Sequence, residues 1–141
     1  MAGLEKIRIM VFGTFDVVHP GHRHFFAQAR ALVKAPAKAY LIVSVARDAN
    51  VKRIKGKKPR FGEKARLARI KKLLEVDKAV LGAMENHIPH ILKQRPQIIA
   101  LGHDQKAYTE GLHAALAERG LEVKIVRLKA HARHKYRSSL V

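Results

Sequence analysis

The decapeptide GTFDVVHPGH at residues 13–22 combines a hydroxyl, a carboxylate and two histidines three positions apart, His19 and His22. It directly follows an apolar run at residues 7–12 that is typical of a buried strand. Residues three apart share one face of a helix, so both imidazoles could contact the same phosphate group. Hydrogen-bond donors beside a phosphate stabilise the charge that develops when that phosphate is attacked. The pattern therefore predicts a site that binds and activates a nucleoside triphosphate.

The residues around the two histidines indicate how such a site would be held. Gly13 allows a tight turn and a close backbone approach after the strand, and Pro20 suits the first turn of a helix. The backbone N–H groups at a helix start attract anions. A metal-binding pair or two surface histidines are the alternatives, because the chain contains nine histidines. The preceding strand, Thr14, Asp16 and the following helix favour the phosphate site.

Hydrophobic periodicity alternates between strand and helix along the chain. Apolar runs predict five strands, at residues 7–12, 38–46, 79–81, 97–101 and 122–126. Helical spacing predicts four helices, at residues 21–34, 63–74, 87–93 and 109–119. Alternating strands and helices imply right-handed crossovers and a parallel sheet. The expected fold class is α/β, with a single Rossmann-like domain built on a parallel sheet of about five strands that has helices on both faces.

Two basic segments show no regular pattern, residues 50–62 and residues 129–139. In an open α/β sheet, ligands bind beyond the carboxyl ends of the strands, and each of these segments follows a strand that ends at that edge. Long charged loops at such an edge often carry function. We therefore expect both segments to approach the site predicted at the decapeptide.

Size and composition limit the class of protein. A chain of 141 residues with 48% hydrophobic residues can form one core, so we expect one domain over residues 1–141. No cysteine is present, which excludes a disulfide framework, a thiolate metal site and a cysteine nucleophile, and which fits a cytoplasmic location. No apolar run approaches the ~20 residues of a membrane span, so we expect no membrane association.

The chain is strongly basic, with 29 Lys and Arg against 11 Asp and Glu and a formal net charge of +18. Such a field attracts nucleic acids, anionic membranes and small polyanions alike. The charge is concentrated at residues 47–72 and 124–137, the two regions that contain the irregular basic segments. We interpret most individual lysines as solvated surface groups rather than as ligand contacts.

The decapeptide resembles the first signature of the HIGH-motif nucleotidyltransferases, in particular the small cytidylyltransferase-like group. Further segments extend the resemblance: VARDANVKRIKGKKP at 45–59, the helix with Arg66 that leads into VDKAVLG at 76–82, LGHDQ at 101–105 and YRSSLV at 136–141. Their order and spacing resemble archaeal-type FAD synthases more than glycerol-3-phosphate cytidylyltransferases. The resemblance covers essentially the whole chain.

The resemblance also implies roles for individual residues. It identifies His19 and His22 as catalytic groups that stabilise the transition state, and Lys52 as a catalytic lysine that contacts the phosphates. It implies nucleotide binding by a larger set: Gly13, Thr14, Phe15, Asp16, Lys55, Arg66, Gly102, Asp104, Arg137, Ser138 and Ser139.

Three charged side chains could have a structural role instead of contacting a ligand. Asp16 could cap a loop instead of contacting a ligand. Arg66 could pack against the core or pair with an acidic neighbour. Asp77, which matches a family aspartate, could cap the start of a strand.

The reaction implied by the resemblance is adenylyl transfer, in which the phosphate of FMN attacks the α-phosphate of ATP and produces FAD and pyrophosphate. No residue has the pattern of a covalent nucleophile, so we expect direct in-line displacement with Mg²⁺ or another divalent cation bridging phosphate oxygens. Because the acceptor is already an anion, no strong general base is required. Binding, charge neutralisation and orientation would supply the rate enhancement. The resemblance further implies a homodimer.

Two other functions stay open at the level of sequence. CTP-dependent transfer to glycerol 3-phosphate, or to another small phosphorylated alcohol, would keep the chemistry and change the substrates. The residues identify no flavin pocket, although Phe61, Tyr108 and Tyr136 could supply an aromatic platform. A nucleic-acid-binding domain would explain the charge, but aromatic residues make up only 6% of the chain and no RNA-reading aromatic motif interleaves with the basic runs. Nucleic acid is therefore the less favoured partner.

Overall fold

A five-stranded, all-parallel sheet with helices on both faces forms the domain. The computed structural model describes residues 5–102, 105 and 111–129. The strands are β1 (Lys6–Gly13), β2 (Lys38–Val45), β3 (Lys78–Leu81), β4 (Ile98–Leu101) and β5 (Lys124–Arg127). The helices in the described residues are α1 (Pro20–Ala31), α2 (Asp48–Lys55), α3 (Glu63–Lys71), α4 (His87–Gln94) and α5 (Leu112–Glu118). The predicted fold class is confirmed.

The strand order is β3-β2-β1-β4-β5, which puts β1 at the centre of the sheet. β1 pairs with β2 along its whole length, from Lys6 opposite Lys38 to Gly13 opposite Val45. Its pairing with β4 covers only two positions, Ile9 opposite Ile98 and Met10 opposite Ile99. The chain leaves β1 toward one edge of the sheet and leaves β4 toward the other. Such a switch point opens a crevice at the carboxyl ends of the strands, where ligands bind in folds of this type.

Successive residues of β1 alternate between the two faces, because side chains in a strand have a period of two. Ile9 and Val11 pack with residues of α1 and α3, including Phe26, Ala29 and Ile70. Met10 and Phe12 pack with residues of α4 and α5, including Ile91, Leu112 and Leu116. All of these side chains are buried. Burial on both faces explains why β1 and β2 are continuous apolar runs in the sequence.

The prediction of irregular structure across residues 50–62 is wrong for its first half, which belongs to α2. Asp48 lies in the first turn, where a carboxylate opposes the positive end of the helix dipole, and Gly56 ends the helix in the left-handed conformation at φ 84°. Residues 56–62, here called the basic loop, connect α2 to α3. Of the other irregular segment, residues 129–139, only Lys129 is among the described residues.

The other boundaries differ from the predictions by a few residues. The helix predicted at 63–74 ends at Lys71, and the one predicted at 109–119 covers Leu112–Glu118 among the described residues. No helix in the described ranges is long and apolar enough to cross a membrane.

Asp77 lies immediately before β3, at the edge of the sheet opposite the carboxyl ends of the strands. Its carboxylate accepts a hydrogen bond from the backbone N–H of Leu41 (2.7 Å) and pairs with Arg30. Arg30 also donates to the carbonyl of Glu75 (3.1 Å) and to that of Ala39 (3.3 Å). Of the two roles considered for Asp77, the structure supports the cap at a strand start.

Replacing Asp77 with Ala should lower the free energy of unfolding by about 1–3 kcal/mol, because the N–H of fully buried Leu41 loses its acceptor. Urea denaturation measures the change. Asp77→Asn keeps an acceptor oxygen and should lose clearly less. Equal losses in the two variants would mean that the bond to Leu41 is not the source of the stability.

Candidate active site

His19 and His22 cap the start of α1 reciprocally. His19 is the residue before the helix, in extended conformation, and its Nδ1 accepts a hydrogen bond from the N–H of Gly21 (3.1 Å). The Nδ1 of His22 accepts from the N–H of His19 (3.4 Å). This is the arrangement of a capping box, in which two side chains satisfy backbone donors at a helix start. The two rings stack with their centroids 3.9 Å apart and an interplanar angle of 15°, so a single phosphate could lie beside both.

The caps determine which nitrogen of each neutral imidazole carries the proton. Because Nδ1 accepts in both residues, the proton of the neutral ring lies on Nε2. Desolvation by burial, together with the smaller effect of the nearby His19, lowers the pKa of His22 to about 4. Desolvation also lowers the pKa of His19. Both rings are therefore neutral hydrogen-bond donors at neutral pH.

Phe15 supports the histidines from the core side. Its ring is buried, meets the ring of His22 edge-on at 5.3 Å and lies 5.3 Å from the ring of Phe26. The backbone of Phe15 has φ 55°, in the left-handed region that a bulky residue rarely adopts. A side chain at Gly13 would come within 2.5 Å of the Phe15 ring. Gly13 is thus required by the ring of Phe15, which replaces the explanation from turn geometry given by the sequence.

Asp16 anchors the basic loop to the decapeptide. Its carboxylate accepts hydrogen bonds from the backbone N–H groups of Arg60 (2.6 Å) and Phe61 (2.8 Å). The guanidinium of Arg69 lies 3.7 Å from the centroid of the Phe61 ring and donates to the carbonyl of Asp16 at 3.5 Å. Of the two roles considered for Asp16, these contacts favour the loop cap. They also hold the cations of the basic loop next to the histidine-bearing turn.

Arg66, on α3, is fully buried and connects four segments of the chain. Its Nη1 donates to the carbonyls of Thr14 and Ala46 (both 2.9 Å), which lie just beyond the ends of β1 and β2. Its Nε donates to the carbonyl of Phe61 (2.9 Å), and its Nη2 pairs with the carboxylate of Asp48 (2.6 Å). Arg66 is therefore buried and paired with an acidic neighbour, which is the alternative that the sequence offered to nucleotide binding.

Asp48 and Glu63 cap each other's helices. The carboxylate of Glu63 accepts from the N–H of Asp48 (2.8 Å), and that of Asp48 accepts from the N–H of Glu63 (3.2 Å). Arg47 pairs with Glu63 at 3.2 Å. Desolvation would raise the pKa of Asp48, but the bonds from Arg66 and from the Glu63 N–H outweigh it and lower the pKa. An open crevice of about 520 Å³ between these two helix starts contains none of the predicted site residues, and its helix ends already hold carboxylates.

Lys52 and Lys55 have exposed side chains on α2, the helix whose first turn is tied to Arg66 through Asp48. Among the described residues, no hydrogen bond or ion pair joins either lysine to His19 or His22. Their proposed phosphate contacts therefore remain predictions. Helix α2 begins next to the carboxyl end of β2, which puts both lysines on an element that borders the predicted site.

At the end of β4, the structure adds two residues that the sequence did not single out. Gly102 donates its N–H to Oε1 of Gln105 (2.8 Å), and Nε2 of Gln105 donates to the carbonyl of Phe12 in β1 (2.8 Å). Arg127 donates to the carbonyls of Gly102 (2.8 Å) and Gln105 (2.6 Å). These contacts bring Gly102 to the β1–β4 crevice, near Gly13. The predicted nucleotide-binding residues Asp104, Arg137, Ser138 and Ser139 lie outside the described residues.

A second His-x-x-His, formed by His87 and His90, begins α4 on the opposite face of the sheet from α1. His90 is hydrogen-bonded through Nε2 to the hydroxyl of Ser44 (2.8 Å), a buried polar side chain of β2. Its pKa is lowered, first by desolvation and then by His87 and Lys93. This pair is tied to the sheet through Ser44, whereas the pair at α1 caps the start of its own helix. Among the described residues, no cluster of three or more His, Asp or Glu could hold a metal ion.

Comparison with known proteins decides the family. The family model for cytidylyltransferase-like proteins matches residues 10–141. The chain belongs to the cytidylyltransferase-like family. Its relatives include proteins named FAD synthase from Korarchaeum cryptofilum (45% identical over 86% of this chain and 80% of the relative) and from Archaeoglobus profundus (39% identical over 94% and 81%). The predicted resemblance to archaeal FAD synthases is confirmed.

A solved structure shows the same family fold. The crystal structure of the lipopolysaccharide core biosynthesis protein from Thermoplasma volcanium is 38% identical to this chain, with a TM-score of 0.79, and the match covers 89% of this chain and 98% of that one. The family assignment identifies the chain as a nucleotidyltransferase. In this chain, the two histidines three apart at the start of α1 both act as caps of that helix.

The low pKa of His22 predicts a loss of stability in acid. In the folded state the pKa is about 4, against 6.5 for an ordinary histidine. Below pH 6.5 the unfolded chain binds a proton that the folded chain does not, so the free energy of unfolding should fall between pH 6.5 and pH 4, by a contribution of the order of 3 kcal/mol from this residue.

Urea denaturation at several pH values measures this contribution. His22→Gln should show a shallower loss between pH 6.5 and pH 4 than the wild-type protein. The matched control is His113→Gln, at a side chain that is 59% exposed on α5. Parallel pH curves for His22→Gln and the wild-type protein would contradict the lowered pKa.

Replacing Arg66 with Lys should lower the free energy of unfolding by about 3 kcal/mol, because one ammonium group cannot reach the four acceptors that the guanidinium holds. Arg69→Lys, on the exposed side of the same helix, is the matched control and should cost below about 1 kcal/mol. Thermal or urea unfolding provides the comparison. Similar losses in the two variants would mean that the buried contacts of Arg66 contribute little.

Proposed function

We propose that the protein is an FAD synthase, which transfers the adenylyl group of ATP to the phosphate of FMN and releases pyrophosphate. The observation that carries the proposal is the stacked pair of neutral, Nδ1-capping histidines at the start of α1, directly beyond the central strand. The names of relatives at 39–45% identity support the choice of reaction.

The triphosphate is proposed to lie at the start of α1, over the carboxyl end of β1. The positive end of the helix dipole favours an anion there. The Nε2 donors of His19 and His22 then act on the α-phosphate. Because both rings are held by backbone contacts before substrate binds, they need little reorganisation as charge builds up during the attack.

The chemistry requires little proton transfer. The oxygen of the FMN phosphate forms the new P–O bond at the α-phosphate, and the bond to the bridging oxygen of pyrophosphate breaks with its electron pair going to the leaving group. Neither change needs a general base, which fits a site whose histidines have low pKa values. Lys52, Lys55 and the cations of the basic loop are proposed to neutralise the phosphates.

Mg²⁺ is proposed to enter as its complex with ATP. No group of three or more His, Asp or Glu in the described ranges could hold a metal ion. Phosphate oxygens and water are the ligands that Mg²⁺ commonly keeps in such sites. Bound there, the ion would neutralise charge on the phosphates.

A homodimer and a cytoplasmic location stay predictions, and CTP stays an alternative to ATP. The nucleotide-binding roles also stay predictions for four residues: Asp104, Arg137, Ser138 and Ser139. Glycerol 3-phosphate is the alternative acceptor, and the basic loop would suit its phosphate as well as that of FMN. The names of the relatives favour FMN.

Purified protein with Mg²⁺, FMN and ATP should release pyrophosphate and form FAD, detected by chromatography. FMN, glycerol 3-phosphate and phosphocholine should each be tested with ATP and with CTP. Transfer to glycerol 3-phosphate without transfer to FMN would replace the proposed acceptor.

The double variant His19→Asn, His22→Asn should reduce the rate at least ~100-fold, because loss of a single transition-state donor already costs about that much. The matched control is His87→Asn, His90→Asn, which removes the second His-x-x-His at the start of α4 and should retain the rate. Undiminished transfer by the α1 double variant would exclude the proposed mechanism.

A further inference from the structure

Strands β1 and β4 separate before either ends. They pair only at Ile9–Ile98 and Met10–Ile99, although β1 continues to Gly13 and β4 to Leu101. The crevice between them is the switch point of the sheet, with Gly102 directly after β4 on one side and the end of β1, which leads to His19, on the other. Anything that sets the width of this crevice also sets the distance between Gly102 and the end of β1.

The side chain of Gln105 spans the crevice. Its amide donates to the carbonyl of Phe12 and accepts from the N–H of Gly102, both at 2.8 Å. The residue bonded through Nε2 is 93 positions away in sequence. The Gln105 amide thus supplies the donor and the acceptor that a direct strand contact would otherwise provide at this level of the sheet.

The backbone of Gln105 is held as well. Its N–H donates to the carbonyl of Gly102 (3.1 Å), and its carbonyl accepts from Nη1 of Arg127 at the end of β5 (2.6 Å). The same Nη1 donates to the carbonyl of Gly102 (2.8 Å). Because Gly102 and Gln105 are bonded to Arg127 of β5 on one side, and the Gln105 amide is bonded to β1 on the other, Gly102 has little freedom to move relative to β1.

We propose that Gln105 is a positioning residue for the nucleotide, which holds Gly102 at a fixed distance from the turn after β1 that is proposed to bind phosphate. The inference rests on the proposed function, since it assigns a part of the same nucleotide site. Only a primary amide of this length fits the role. Leucine has similar volume but neither donor nor acceptor, and asparagine is one methylene too short to reach both partners.

A second glutamine offers a matched control. Gln97 precedes β4 at the opposite edge of the sheet, and its Oε1 accepts from the N–H of Arg8 in β1 (2.9 Å). Gln97 and Gln105 therefore each provide a side-chain bridge between the β4 segment and β1. The Gln105 bridge lies at the carboxyl ends of the strands, where the candidate site is. The Gln97 bridge lies at their amino ends.

Titration calorimetry of ATP and CTP with wild-type protein, Gln105→Leu, Gln105→Asn and Gln97→Leu tests the inference without an acceptor. The Gln105 variants should bind nucleotide about tenfold more weakly, as expected for two lost hydrogen bonds. Gln97→Leu should bind like the wild-type protein. Urea denaturation identifies any variant that does not fold. Gln105→Asn is included as the milder substitution, for the case in which Gln105→Leu does not fold.

Steady-state kinetics add a readout that general destabilisation would not move. Gln105→Leu should raise KM for the nucleotide about tenfold and leave KM for FMN near the wild-type value. Wild-type affinity in Gln105→Leu, or equal weakening in Gln105→Leu and Gln97→Leu, would overturn the inference. Failure of the wild-type protein to make FAD would instead contradict the proposed function, and the calorimetry would still decide the role of Gln105.

Discussion

The buried guanidinium of Arg66 is the contact on which the arrangement of the site depends. It holds the carbonyls just beyond β1 and β2, the carbonyl of Phe61 in the basic loop and the carboxylate of Asp48. A buried charge is costly unless it is fully hydrogen-bonded, so these four acceptors must stay close together. The same requirement fixes where α2, α3 and the basic loop lie relative to the turn between β1 and α1.

The acidic residues of this region are used to build it rather than to bind ligand. Asp16 holds the basic loop, and Asp48 and Glu63 cap each other's helices. Many of the basic side chains of α2, α3 and the basic loop are exposed. Because the acids are used in internal contacts and many bases are exposed, this edge of the sheet has a positive field. Such a field would suit the proposed triphosphate and the phosphate of the acceptor.

His19 and His22, the proposed catalytic histidines, have a structural role at the start of α1. Their Nδ1 atoms satisfy backbone donors there, and this use puts the proton of each neutral ring on Nε2. Burial lowers the pKa of both rings, and the Phe15 ring lies edge-on against His22. Neutral donors would suit the proposed reaction, which needs charge stabilisation and no general base.

Local patterns in the sequence determined the alternating elements, the parallel sheet, the family and the pairing of His19 with His22, because each depends on residues a few positions apart. The bonds of Arg66 to Thr14, of Asp16 to Arg60 and of Gln105 to Phe12 join residues 52, 44 and 93 positions apart. No periodicity records such contacts. Only the tertiary structure therefore decided that Gly13 makes room for the Phe15 ring, that Asp16 and Arg66 support the site, and that Gln105 spans the crevice between β1 and β4.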